Sequence, residues 1–180
     1  MDALFHAIET GWGLQVVLWF QSWRTPLLES IFLFFHYTGV EEFYLMVVPV
    51  LFWSVDAANG RRIGLSFMLA AWSNSALKEW FARPRPGDVS ALVQPSVIET
   101  SYGIPSGHAM LSSVLWGTIA VEFRKRWLTI AILIYLFLMG ASRLLHGAHF
   151  PQDVLAGWLI AGLWVAGYAW LEPKVEAWVA

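Results

Sequence analysis

The sequence predicts an all-α integral membrane protein, a bundle of five to six transmembrane helices preceded by interfacial helices. Three observations predict it. The 180 residues are 58% hydrophobic and only 13% charged, with a mean hydropathy of +0.57, whereas a soluble domain is about half apolar and about a quarter charged. Long apolar runs recur along the chain, separated by short polar turns. Twelve tryptophans suit a membrane–water interface. The same composition excludes some classes of function. A net charge of −2 gives no electrostatic footprint for nucleic acid. The absence of cysteine excludes a disulfide framework and a thiolate site. The start, Met1-Asp2-Ala3-Leu4-Phe5-His6, lacks a basic segment, so no cleavable signal peptide is expected.

Residues 1–37 read as N-terminal amphipathic helices and 38–180 as the membrane core. Over 2–23, Leu4, Phe5, Ile8, Trp12, Val16, Trp19 and Trp23 fall at helical spacing among Asp2, Glu9, Gln15 and Gln21, the pattern of a helix lying in the interface. Leu27–Tyr37 reads as a second surface helix. Val40–Val55 is the first expected span, with Pro49 inside it. A turn from Asp56 to Arg62 ends it. The next helix runs from Ile63 to Ala82 and stops before Pro84. A polar loop from Pro86 to Pro105 follows, of a length that is usually functional or mobile. Three apolar segments complete the chain, Gly107–Phe123, Trp127–Ser142 and Pro151–Leu171.

Arg61, Arg62, Arg124, Lys125, Arg126 and Lys174 fall on one side of this layout. The excess of positive charge makes that side cytoplasmic. The other side collects Lys78, Arg85, Ser106, His108, Arg143 and His149, so the polar cluster is expected on the extracytoplasmic face.

Three polar stretches at the ends of apolar segments hold chemistry. The first contains Lys78 in a last helical turn, where carbonyl ends favour a cation, and Arg85 beyond the break. Its plain reading is snorkelling of cations at a helix end. The second is Pro105-Ser106-Gly107-His108. Ser106 is a good N-cap, and free amides at a helix start bind phosphate. Its plain reading is an ordinary cap beside a histidine. The third runs from Ser142 to Asp153. Arg143 forks onto a phosphate. Pro151 suits the first helical position, which puts Asp153 in the first turn, within reach of His149. A carboxylate on one imidazole nitrogen fixes the tautomer and leaves the other nitrogen free to attack. Its plain reading is a polar hinge with caps.

Together the stretches read Lys-x6-Arg-Pro, Pro-Ser-Gly-His and Ser-Arg-x5-His-x3-Asp. This resembles, position for position, the signature of the type 2 phosphatidic acid phosphatase family, which shares its site with vanadium haloperoxidases. The resemblance covers residues 38–171. It implies that Lys78, Arg85 and Arg143 clamp phosphoryl oxygens with Ser106 and the Gly107 amide. It implies that His149 is the nucleophile, Asp153 orients it and His108 protonates the leaving oxygen, through a phosphohistidine and without metal or cofactor. The implied partners are membrane lipids and a lipid phosphate of the phosphatidic acid, phosphatidylglycerol phosphate, undecaprenyl pyrophosphate or sphingosine phosphate class. The implied location is a bacterial inner or plasma membrane. Thr38 to Phe43 and Phe52 to Asp56 also look like sphingosine-phosphate phosphatases.

Residues outside the three motifs carry expectations too. His146 falls in a spacer and reads as packing or support. Arg83 and Glu79, four apart, are expected to pair. Glu41, Glu42, His6 and His36 are expected at the interface. The loop 87–104, with Tyr102 near its end, is the candidate for gating. Two rival functions use the same residues. A vanadate-dependent haloperoxidase would turn the site to redox chemistry. A non-catalytic lipid-binding or transport protein would keep only the fold, but none of the motif residues is missing.

Overall fold

The structure, a computed structural model, describes residues 2–54 and 57–179. Among these the chain is helical and holds no strand. α1 (Asp2–Thr10) and α2 (Trp12–Ser22) are separated only by Gly11. α3 (Pro26–Tyr37) starts at Thr25, whose hydroxyl accepts the Leu28 amide, with Pro26 in the first turn. The chain then bends by 53° into α4 (Glu41–Ser54). α5 (Ala57–Phe81), the one-turn α6 (Pro86–Val89), α7 (Gly107–Phe123), α8 (Arg126–Leu145) and α9 (Pro151–Val179) follow.

The turn expected from Asp56 begins outside the described residues, and from Ala57 the chain is already helical. Gly60, Ile63 and Gly64 are buried on the side of α5 that meets Tyr44, Val48 and Phe52 of α4. Packing overrides the local turn composition. Arg83 also departs from expectation, since it forks onto Glu9 of α1 at 2.6 and 2.9 Å rather than onto Glu79. The reason is local. α5 ends at Phe81 and Ala82 enters the left-handed region at φ 45°. Arg83 is then off the helix, and the four-residue spacing no longer brings it to Glu79.

α7 is the central helix. Ten of its 17 residues are buried, and they fall on every side of the helix, the mark of a helix wrapped by others. Met110, Leu111, Val114, Leu115 and Ile119 share one core with Tyr44, Ile63, Ala70 and Ala161. Inside that core the hydroxyls of Tyr44 and Ser112 meet at 2.6 Å, and Trp164 donates to Ser66 at 2.9 Å. By length and composition, Arg126–Leu145 and Pro151–Lys174 can cross a membrane, and α3 with α4 makes a third span if the bent pair counts as one. The sequence reading expected five to six. α7 has 17 residues, roughly 26 Å against a hydrocarbon core of about 30 Å. α5 carries Arg61, Arg62, Asn74, Lys78 and Glu79. Neither meets the test of length and apolarity on its own.

The bundle has two polar ends. At one, Arg62 of α5 pairs with Glu122 of α7 at 3.6 Å and with Glu172 of α9 at 3.3 Å. Tyr168 hydrogen-bonds Glu122 in the same cluster. At the other end α5 and α8 finish while α7 and α9 begin. Gly147, at φ +64°, turns the chain out of α8 so that α9 can start at Pro151. The N-terminal helices close this end: Val17 of α2 packs with Val93 of the long loop and Phe150.

Candidate active site

A cavity of about 410 Å³ lies between the ends of α3, α4, α5 and α7, the long loop and the turn before α9, and its walls include Lys78, Gly107, His108 and His149. Bonds to backbone carbonyls, one from an amide and one from a guanidinium, fix the motifs to one another. The Ser106 amide donates to the Asp153 carbonyl at 3.0 Å, and Arg85 donates to the Ala148 carbonyl at 2.8 Å. The motif between residues 105 and 108 is thereby tied to the start of α9, and the one between 78 and 86 to the loop before it.

His149 is almost fully buried and held from both sides. Its Nδ1 lies 3.3 Å from Asp153 Oδ2, and its Nε2 lies 3.1 Å from Arg85 Nη1. A guanidinium has only hydrogens to offer. Nε2 must therefore accept, and Nδ1 carries the proton toward Asp153. Asp153 Oδ2 is itself fixed by the Phe150 amide at 2.9 Å. Burial first, then the cations of Arg85, Lys78 and Arg143, hold His149 well below the usual histidine range. It is neutral, with its lone pair on the nitrogen that faces the cations.

Lys78 donates to the Tyr102 carbonyl at 2.6 Å and to Ser101 Oγ at 2.9 Å. Arg85 donates to the Ser101 carbonyl at 2.6 Å, and burial lowers its pKa from the usual guanidinium value. Arg143 is fully buried. Its Nε donates to Ser142 Oγ at 3.2 Å, while its Nη2 is buried with no partner. An unpaired buried guanidinium nitrogen is costly, and an oxyanion is the group that satisfies it. Ser106, like Arg85 and Arg143, is buried behind the residues that line the cavity, and its hydroxyl caps α7, accepting the Ala109 amide at 3.5 Å.

Two residues that sequence reasoning missed stand in the site. Glu99 of the long loop reaches Arg143 Nη1 at 3.4 Å, Arg85 Nη2 at 3.6 Å and His108 Nδ1 at 3.7 Å. His36 was expected at the interface; instead it lines the cavity. Its ring stacks on that of His108, with centroids 5.2 Å apart and planes at 16°, and its Nδ1 lies 3.2 Å from Arg143 Nη1. The bend after α3 delivers it there, and Gly39 permits the approach, since a Cβ on Gly39 would sit 2.4 Å from His108 Cδ2. The one signal for His36 was a histidine inside an apolar run. Glu41 and Glu42 line the cavity mouth, and His146 is buried with Nδ1 2.7 Å from Ser96 Oγ. Burial and Arg143 lower the His146 pKa to about 4.

His36, Glu99 and His108 bring one ligand atom each within 4.8 Å of one another, a set able to hold a metal. The cation of that cluster is already Arg143, whose Nη1 contacts His36 and Glu99.

A model of the PAP2 superfamily matches residues 59–176. The chain is 29% identical over 132 residues to human sphingosine-1-phosphate phosphatase 2, covering 69% of this chain and 33% of that protein. It is 31% identical over 157 residues to an undecaprenyl-diphosphatase of Sulfolobus acidocaldarius, covering 83% of this chain and 71% of that one. The chain thus spans about a third of the length of the human relative and most of the archaeal one. Among solved structures, the PAP2-type phosphatidylglycerolphosphate phosphatase of Bacillus subtilis superposes with a TM-score of 0.83 at 24% identity, over 97% of this chain and 89% of that one. That likeness shows the shared fold.

Proposed function

The chain belongs to the PAP2 superfamily, and we propose that it is an integral membrane phosphatase acting on a lipid phosphomonoester or pyrophosphate through a phosphohistidine. The observation that carries this reading is the pairing of His149 with two kinds of partner. Asp153 takes its Nδ1, and Arg85 donates to its Nε2, a bond that an entering phosphoryl group takes over from the imidazole. A phosphoryl group bound by Arg85 is then within reach of the nitrogen that carries the lone pair.

The chemistry follows from charge. A phosphoryl group in transfer spreads negative charge over three oxygens, so positioning and cations do most of the work. Lys78, Arg85, the unpaired Nη2 of Arg143 and the Gly107 amide supply them. In the first step His149 Nε2 forms a bond to phosphorus while the P–O bond to the lipid breaks. His108, which burial and then Arg143 keep neutral until phosphate binds, takes up a proton as the anionic phosphate enters, and the departing oxygen takes that proton from it. Asp153 stabilises the imidazolium character that develops on His149. In the second step His108 removes a proton from water, the water oxygen attacks phosphorus, and the P–N bond breaks to release inorganic phosphate. The steps as written use no metal ion, and the contacts of Arg143 with His36 and Glu99 support that reading.

Relatives carry names for sphingosine-1-phosphate, undecaprenyl diphosphate and phosphatidylglycerolphosphate. These differ in the lipid and share the terminal phosphoryl group, which is the part the buried cations recognise. Glu99 competes with that group for Arg143 and Arg85, so the loop 87–104 must yield as phosphate enters. The face of the membrane that carries the site is, on the positive-inside rule, the extracytoplasmic one.

The test is phosphate release in detergent over a panel of the four lipid phosphate classes, with rapid quench of a radiolabelled substrate. Release should survive EDTA and be blocked by vanadate. His149→Ala should lose both turnover and acid-labile label. His108→Ala should lose about 10²–10⁴-fold on an alkyl ester, and less on an aryl phosphate whose leaving group needs little protonation. Label retained by His149→Ala would overturn the assignment, and activity restored only by magnesium would overturn the metal-free mechanism.

A further inference from the structure

His108 has no carboxylate of its own in the Pro-Ser-Gly-His motif, and its Nε2 is buried without a hydrogen-bond partner. A general acid must be held within hydrogen-bond reach of the oxygen it protonates. Glu99 Oε1 is 3.7 Å from its Nδ1, too far for a good hydrogen bond. Besides Glu99, the His108 ring lies against Gly39 and the backbone of His36, and its face is covered by the His36 ring, stacked with centroids 5.2 Å apart. His36 also meets the phosphate clamp. Because Arg143 can only donate, His36 Nδ1 accepts from Nη1 at 3.2 Å, and Nη2 is the guanidinium nitrogen left buried without a partner.

We propose that His36 is a positioning residue, which sets the ring of the acid His108 with its face and the guanidinium of Arg143 with its Nδ1. The inference rests on the reading of the cavity as a phosphatase site. It gives a role to a residue far from the three motifs in the chain and brought to them by the bend between α3 and α4. The two halves of the role use different parts of the imidazole. The stack needs a flat ring and no particular atom. The bond to Arg143 needs an acceptor at the Nδ1 position and no ring.

Two substitutions separate them. His36→Phe keeps the face and removes the acceptor. His36→Asn places an amide oxygen close to the Nδ1 position and removes the face. Each variant is measured in detergent for kcat on an alkyl and an aryl phosphate, for inhibition by vanadate and for binding of inorganic phosphate by calorimetry. His36→Asn should lose roughly tenfold or more in kcat on the alkyl ester, a part of what full loss of the acid costs. It should change little on the aryl ester and leave phosphate binding near that of the parent. His36→Phe should weaken phosphate and vanadate binding roughly tenfold and depress both esters alike, as expected when a charge-assisted contact to the clamp is lost. His36→Ala should show both defects. Equal losses on both esters in His36→Asn, or unchanged phosphate binding in His36→Phe, would overturn the proposal. A parent protein that hydrolyses neither ester would instead sink the phosphatase reading, and phosphate binding would still decide the contact with Arg143.

Discussion

Burial sets the protonation of the two loop histidines and does so in one direction. His149 is held below the usual histidine range, and His146 lies at about 4. In the unfolded chain each titrates near 6.5. Between these values the unfolded state binds protons that the folded state refuses, so stability rises with pH and falls on acidification. The loss begins as pH drops through about 6.5, and for His146 it continues down to about 4. Asp153 opposes this, because burial raises its carboxyl to about 7 and the folded state gains from its protonation as pH falls. The histidine contribution to the melting temperature in detergent is therefore read as the difference between parent and a His146 variant from pH 7.5 to pH 5. His146→Asn keeps a polar atom toward Ser96 and cannot take up a proton. It should melt below the parent at pH 7.5 and close part of that gap by pH 5. A gap that stays constant with pH would mean that His146 titrates normally. At this scale the motif residues were legible, because their spacing along the chain reflects helix ends that face one cavity. His36 and Glu99 were not. Their relation to His108 and Arg143 exists only after α3 and α4 bend and the loop folds over the site, and no local period records it.

The elements place the site through their ends more than through their middles. α7 begins at the Ser106 cap, α8 finishes just past Arg143, and α9 begins at Pro151, which holds Asp153 in its first turn. These boundaries were readable from Ser, Gly and Pro. The end of α5 was less so. The sequence reading carried the helix one residue too far and kept Arg83 in register with Glu79. Ala82 instead takes a left-handed conformation at φ 45°, a position that usually falls to glycine because a Cβ crowds the following carbonyl. Relieving that crowding is worth about 1–2 kcal/mol, partly offset by about 0.5–1 kcal/mol of extra chain entropy in the unfolded state. Ala82→Gly should thus raise the melting temperature by roughly 1–4 °C while Arg83 stays on Glu9. Thermal denaturation of parent and variant side by side reads this directly. A lower melting temperature would show that Ala82 carries no strain.

At the scale of the molecule, the two polar ends of the bundle divide the charge. Arg62, Glu122 and Glu172 tie three helices at the end away from the cavity, and Arg124, Lys125 and Arg126 stand in the exposed turn beside them. The all-helical class was legible from composition. The number of spans was not, because α7 is covered by its neighbours and need not meet lipid along its own length. Orientation rests on the basic turn. Lys and Arg in short loops resist transfer across the membrane, so the Arg124 turn should stay cytoplasmic and the cavity should open on the opposite side. The chain has no cysteine, which makes single-cysteine labelling clean. Lys125→Cys lies in the exposed basic turn, and Ala91→Cys lies in an exposed part of the long loop at the cavity end. Neither touches the site. On intact cells a membrane-impermeant maleimide should label Ala91→Cys and spare Lys125→Cys, and permeabilised cells should label both. The reverse pattern on intact cells would put the cavity, and the phosphate it releases, on the cytoplasmic face. Labelling of both on intact cells would show that the two ends are not separated by a membrane, and would overturn the transmembrane bundle itself.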